Sequence, residues 1–414
     1  MGRRLNRVAG AALLALLAGG GWVQGVADAR PAPEAPPDSN GACDFFDSAK
    51  CLYPFPNDYF TVRDRSTDTD RRVQFSPDSM PRNAAGVPID PTEWNRNDGF
   101  SPGSAILTVV PGLDLERTGA APETDIGRSL RANAPIVLLD ATSGRRVPYW
   151  AEIDQSAPSA DQHSLIVRPA VNFRESHRIV VALRRLQDSS GKTIEPGDSF
   201  RAYRDGTKTS DTTIEARRPH MQDVLKALDG AGVKRGDLFL AWDFTVASER
   251  NLSERMLHIR DNAFDSLDGK APEFQVTQVE YDVDERVARR VSGTFSVPDY
   301  LTGDGGPGNG FDTGQNGLPQ RNGDYTAPFI CIIPRVALKP DGTVARARPA
   351  IYGHGLLGSE REVAAGNVRD MANEHNFVFC ATRWIGLSEE DIGNAVSVLG
   401  DISRFPTIAD RLQQ

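Results

Sequence analysis

The 414-residue sequence has few cysteines (four) and few histidines (six), and acidic residues (56) outnumber lysine plus arginine (47). The formal charge of −9 argues against nucleic acid as a partner, because neutralising phosphates requires clustered lysine and arginine. No apolar run approaches the roughly 18–20 residues of a membrane-spanning helix, which excludes a multi-pass membrane protein. No internal repeat is present.

The composition that remains is that of a globular protein. Hydrophobic residues make up 39% and charged residues 25%, which is enough apolar material for a core. The 38 glycines and 28 prolines predict many turns. The length is sufficient for about two to three domains.

The N-terminus has the order of an export signal. Arginines precede a short apolar stretch, which ends in the A-x-A tripeptide Ala27-Asp28-Ala29. This order predicts a signal peptide over residues 1–29, cleaved after Ala29. Residues 30–42 form a proline-rich spacer. We therefore expect a secreted, periplasmic or cell-surface protein.

Four cysteines in an exported chain favour disulfides, and three connectivities are possible. Cys43 and Cys51 are close in sequence, so we expect them to pair, which leaves Cys331 with Cys380. Neither pair has a partnering histidine at metal-ligand spacing. We therefore expect no metal site, and no motif for a cofactor is present.

Residues 43–287 have the pattern of a β-rich domain. Short apolar segments alternate with turn signals at a spacing that favours a sandwich over βαβ units. The clearest predicted strands are 134–140, 147–153, 164–168, 178–183, 239–245 and 274–281. Two helices are predicted, at 214–228, where Pro219 leaves the start open, and at 248–267, where Ser248 is the expected N-cap.

From residue 288 to residue 414 the pattern changes to alternating strands and helices. Strand 290–297 is followed by a glycine-rich loop at 302–317. Further strands are predicted at 327–334, 348–352 and 377–382, and helices at 359–374, 387–399 and 408–414. Strand, turn, helix and strand in this order indicate an α/β arrangement.

The turn Gly353-His354-Gly355-Leu356 stands where an apolar strand ends and a helix begins. Chemistry that passes through an oxyanion needs backbone N–H donors aimed at one point, and a glycine-rich turn can supply them. The alternative is an ordinary strand-to-helix turn with an exposed histidine.

Three upstream segments stand in an order that resembles a known family. They are Leu52-Tyr53-Pro54-Phe55-Pro56-Asn57-Asp58, Asp98-Gly99-Phe100-Ser101 and Ala241-Trp242-Asp243-Phe244-Thr245. Together with the downstream turn GHGLLG, they resemble secreted bacterial virulence-factor lipases, in which an Ig-like β-sandwich precedes an α/β-hydrolase domain. The resemblance spans about residues 43–414. It implies an Ig-like domain at 43–287 and the N-terminal part of an α/β-hydrolase domain at 288–414.

The resemblance also implies an activity and a site. It suggests a secreted lipase, esterase or lysophospholipase whose substrate is an acyl ester or lipid, with contact to a membrane surface. The oxyanion site would use the Leu356 N–H as donor, Gly355 to permit the turn and His354 to orient it. In the α/β-hydrolase fold the second and fourth strands are neighbours, which would place Cys331 and Cys380 on adjacent strands.

No nucleophile elbow follows the turn. The letters G-x-S-x-G occur at Gly99–Gly103, but Pro102 has no N–H to donate to an oxyanion, so Ser101 is not expected to be catalytic. We expect the nucleophile, acid and catalytic histidine downstream of this chain, as in the front portion of a longer hydrolase. The alternative is a secreted β-sandwich binding or adhesion protein with a non-catalytic α/β remnant.

Overall fold

The computed structural model describes residues 42–46 and 50–414. The predicted signal peptide and nearly all of the proline-rich spacer lie outside these residues. Within the described ranges, no helix is both long enough and apolar enough to cross a membrane.

The first part of the chain is built from antiparallel sheets, which confirms its β-rich character. One sheet has the order β5-β4-β8-β9, another has the order β3-β7-β6, and β1 and β2 form a separate pair. The strands are β1 Thr61–Arg63, β2 Arg71–Val73, β3 Ile106–Val109, β4 Ile136–Asp140, β5 Arg145–Arg146, β6 Tyr149–Asp154, β7 Ser164–Pro169, β8 Arg178–Arg184 and β9 Leu238–Thr245. β4, β8 and β9 are apolar runs that are buried almost throughout, and both larger sheets contribute to one core.

Four helices accompany these sheets: α1 Leu115–Thr118, α2 Asp198–Arg204, α3 Thr212–Gly230 and α4 Glu249–Leu267. α3 begins two residues before its predicted start, because the Asp211 side chain accepts from the backbone N–H groups of Thr213 and Ile214. The helix continues through Pro219. α4 has its predicted N-cap, since Ser248 accepts a hydrogen bond from the Asn251 N–H.

The three upstream segments on which the family resemblance rests, 52–58, 98–101 and 241–245, contact one another. The Trp242 Nε1–H donates to the carbonyl of Pro56 over 2.8 Å. Asp58 accepts from both the backbone and the hydroxyl of Thr245, over 2.9 and 2.8 Å. The Phe100 N–H donates to the Thr245 carbonyl over 2.9 Å. Segments separated by up to 187 residues therefore meet at the end of β9.

The second part contains a five-stranded mixed sheet of order β10-β11-β12-β14-β13. Its strands are β10 Phe274–Tyr281, β11 Val287–Pro298, β12 Asp324–Pro334, β13 Arg348–Tyr352 and β14 Phe377–Thr382. β13 and β14 are parallel and the other neighbours are antiparallel. Cys331 and Cys380 face each other across β12 and β14 and form a disulfide. Cys43 and Cys51 form the other, so both expected pairs are present.

The two faces of this sheet differ in cover. Helix α5, Gly366–His375, packs on one face, where Val368 and Ala372 join Ile332 and Phe379 in a small core. A row of paired residues crosses the opposite face through the disulfide: Val279, Val291, Cys331, Cys380 and Ile351. At the edge of this row, the Ile351 side chain is 82% exposed.

The predicted downstream helices are present with changed limits. The helix expected at 359–374 is divided into a 3-10 helix, Glu360–Ala364, and α5, because Ala365 has extended backbone. Two further helices follow β14: α6 Ile392–Gly400 and α7 Pro406–Gln413. A third apolar cluster forms around Ile259 of α4, which packs with Tyr300, Leu301, Phe311 and Ile385.

Candidate functional site

The turn at 353–358 directly follows β13, whose parallel neighbour is β14. Gly358 pairs with Ser388 in a parallel bridge, and the Leu357 N–H donates to the Leu387 carbonyl over 2.6 Å. The turn is therefore fixed against the segment that follows β14.

His354 makes the second attachment between these segments. Its side chain is buried, with Nδ1 2.8 Å from the carbonyl of Gly355 and Nε2 2.9 Å from the backbone nitrogen of Trp384. A carbonyl can only accept and a backbone N–H can only donate. The ring must therefore be neutral with its proton on Nδ1, and it positions the turn without presenting a free nitrogen.

The backbone N–H groups of the turn differ in availability. The Gly355 N–H donates to Glu362 Oε2 over 3.1 Å, and the Gly358 N–H donates to the Gly355 carbonyl over 3.0 Å. The Leu356 N–H has no hydrogen-bond partner among the residues that the structure describes. The Leu356 side chain is 76% exposed. The predicted donor is thus available, and the backbone N–H of His354 likewise has no hydrogen-bond partner in the described ranges.

The crowded glycines of the turn are Gly353 and Gly358 rather than Gly355. A Cβ on Gly355 would meet nothing closer than Glu362 Oε2 at 3.9 Å, and the backbone there is not left-handed. A Cβ on Gly353 would lie 2.5 Å from the Trp384 ring, and one on Gly358 would collide with the Glu362 carboxylate. The left-handed residue is Leu357, with φ of 57°.

Three ion pairs, made by two arginines, support the segment behind the turn. Arg383 donates to Glu360 over 3.1 Å and also to Glu390. Burial acts to raise the pKa of Glu360, but its bond to Arg383 holds that pKa below the ordinary value. Asp391 accepts from Arg411 Nε over 2.9 Å, and both side chains are fully buried.

Ser101 lies in the β-rich part, beside β9 rather than on an elbow. The residue is exposed, and its Oγ accepts from the Gly103 N–H over 3.3 Å. Its neighbour Phe100 bridges Val246. The geometry matches that of a surface turn at the end of a strand pairing.

Sequence reasoning missed a buried polar cluster around Asp243. This carboxylate binds His220 Nε2 over 2.6 Å and Arg178 Nε over 2.7 Å. Burial would raise the pKa of Asp243, but these two partners hold it well below its ordinary value. Asp58 pairs with Arg71 at 3.1 Å, and burial raises its pKa to about 6. No spacing in the sequence relates these positions.

No group of three or more potential metal ligands occurs within residues 42–46 and 50–414. No protein-family model, curated protein or solved structure matches this chain.

Proposed function

We propose that the protein is a secreted carboxylic-ester hydrolase of the lipase or esterase type. In this proposal residues 43–287 form an Ig-like domain and residues 288–414 begin an α/β-hydrolase domain. The serine nucleophile would lie on a segment beyond these 414 residues. The observation that carries the proposal is the Leu356 N–H, which has no hydrogen-bond partner in the described residues. It lies in the turn after the parallel strand β13, and both ring nitrogens of His354 in this turn bond to backbone groups.

The topology around the turn supports this proposal. The α/β-hydrolase interpretation takes β12 and β14 as the second and fourth strands and requires them to be neighbours, and these strands are paired. The contacts among the upstream segments support the Ig-like part, because the three family-like segments meet in space. The two disulfides fit an oxidising compartment.

The chemistry follows from the donors. A serine hydroxyl would lose its proton to a downstream histidine and attack the acyl carbon, and the carbonyl double bond would open to an oxyanion that accepts from the Leu356 N–H. Collapse of this intermediate would expel the alcohol, which takes the proton from the histidine, and water would then release the acid. The Gly355 N–H could act as a second donor once the Glu362 side chain releases it. The negative charge of Glu362 next to the turn would repel an oxyanion. Movement of the Glu362 side chain away from the turn would therefore free the Gly355 N–H and also remove this repulsion.

A fluorophosphonate probe tests the proposal, because it labels activated serines. We expect labelling of the native secreted protein at a serine downstream of residue 414, within a G-x-S-x-G sequence. The 414-residue chain should stay unlabelled. Labelling at Ser101, or no labelling of the native protein, would contradict the proposal.

The second candidate is a secreted β-sandwich binding or adhesion protein. It is favoured because the G-x-S-x-G match of the chain, at Gly99–Gly103, cannot act as a nucleophile elbow: Pro102 has no N–H to donate, and the serine lies on a surface turn. A stop codon directly after the codon for Gln414 would support this candidate, because no nucleophile could then be placed.

A further inference from the structure

A cleft of about 530 Å³ lies between helix α4, the sheet and helix α7. Ala263, Phe264 and Leu267 of α4 form one wall, and Phe295 and Val297 of β11 form the facing wall. We call this the α4 cleft. Its volume is within the roughly 300–1,000 Å³ that small-molecule sites occupy.

The α4 cleft explains why the apolar face of α4 is only partly covered. The spacing of apolar residues predicts a buried face, but only Ile259 is buried, and Phe264 is 66% exposed. The cleft follows the helix from Ile259 to Leu267, which is about 12 Å at the rise of an α-helix. A groove of this length fits an extended chain.

The cleft reaches the candidate oxyanion turn through Trp384. This residue lines the cleft, its ring lies against Gly353, and its N–H bonds to His354. Trp384 therefore contacts both the cleft and the turn.

The charges in the cleft favour an uncharged ligand. Its cations are Arg383 and Arg411. Arg383 binds two carboxylates, those of Glu360 and Glu390, and Arg411 binds Asp391. Three carboxylates against two guanidinium groups leave no positive charge to hold an anion.

One donor in the cleft has no protein partner. The Tyr325 hydroxyl makes no hydrogen bond with any residue in the described ranges. Burial raises the pKa of Tyr325, so its proton is retained. A neutral ligand oxygen would accept a hydrogen bond from this hydroxyl.

We infer that the α4 cleft binds the hydrocarbon chain of an uncharged acyl ester, with an ester oxygen near the Tyr325 hydroxyl. The identification of the ligand as an ester rests on the proposed function. Binding of its hydrocarbon chain is measured without any ester hydrolysis.

Isothermal titration of the native protein with butanol, octanol and decanol tests the binding. We expect decanol to bind saturably and about tenfold more tightly than octanol, because each buried methylene adds roughly 0.8 kcal/mol. Butanol should show no binding. Decanoate at pH 8 should bind about tenfold more weakly than decanol. No saturable binding, or tighter binding of decanoate, would overturn the inference.

Two matched variants locate the site. Phe264→Ser should weaken decanol binding about tenfold, whereas Leu257→Ser should leave it unchanged, because Leu257 is exposed on the same helix but outside the cleft. Ala263→Phe should abolish binding by filling the cleft. Equal affinities for the two serine variants would refute this site.

The same samples distinguish an acyl chain from two other occupants of the cleft, a second copy of the protein and downstream sequence. A dimer in sedimentation that Phe264→Ser dissociates, together with no decanol binding, would show that a second copy fills the cleft. Binding to the 414-residue chain but not to the native protein would show that downstream sequence covers it. Decanol binding without fluorophosphonate labelling would leave the cleft intact and refute only the hydrolase.

Discussion

The backbone N–H of Trp384 donates to Nε2 of His354 over 2.9 Å, and this bond joins the turn after β13 to the segment after β14. The opposite ring nitrogen donates to the Gly355 carbonyl. One neutral imidazole therefore satisfies two backbone groups, and it orients the Leu356 N–H because that group belongs to the same planar peptide as the Gly355 carbonyl.

Replacing His354 should loosen the turn. His354→Ala leaves the Trp384 N–H without its acceptor, and we expect a loss of about 1–3 kcal/mol in the free energy of unfolding. The ester hydrolysis proposed for the native protein should fall as well. Chemical denaturation measures the first effect, with His375→Ala as the control because His375 is exposed on α5. Equal effects of the two substitutions would contradict the bridging role.

The glycines of the turn should differ in tolerance. Gly353→Ala puts a Cβ 2.5 Å from the Trp384 ring, so we expect a cost of about 1–3 kcal/mol, as for overpacking. Gly355→Ala has room and should change the melting temperature little. Thermal denaturation of both variants distinguishes them, and a larger loss for Gly355→Ala would show that Gly355 is the more crowded position.

The two disulfides should contribute unequally to stability. Their cysteines are separated by 49 residues for Cys331–Cys380 and by 8 for Cys43–Cys51. Loop-closure entropy then predicts about 4 kcal/mol for the first and about 2.5 kcal/mol for the second. Paired serine substitutions, compared by denaturant unfolding, check this order. Mass spectrometry without reductant should detect no free thiol in the mature protein.

The sequence predicted local features better than long-range ones. The strands around β4, β8 and β9 are continuous apolar runs, and the N-cap at Ser248 depends on neighbouring residues only. The exposure of Phe264 was not predictable, because helical spacing identifies an apolar face but not what covers it. The partners of Asp243 come from β8 and α3, and no pattern within either segment indicates that they meet.

The two ion pairs of Arg178 test whether burial determines how much an ion pair contributes to stability. Asp243→Asn leaves Arg178 and His220 without their buried partner, and we expect a loss of about 3–5 kcal/mol. Asp223 also binds Arg178, but its side chain is 60% exposed. Asp223→Asn should therefore cost less than about 1 kcal/mol. Urea unfolding of both variants makes the comparison, and similar losses would show that burial does not determine the strength of these pairs.

Stability should increase on mild acidification, and Asp410 should contribute to this. Burial raises the pKa of Asp410 from 3.8 to about 6, although its carboxylate accepts from the Phe311 N–H over 3.0 Å. The folded state therefore binds this proton more tightly than the unfolded state, so unfolding becomes less favourable as the pH falls from 7 to 5. Asp58, with a pKa near 6, acts in the same direction. Asp410→Asn keeps an oxygen acceptor but cannot titrate. Its urea midpoint should rise less than that of the unmodified protein between pH 7 and pH 5, and an identical rise would exclude Asp410 as a contributor.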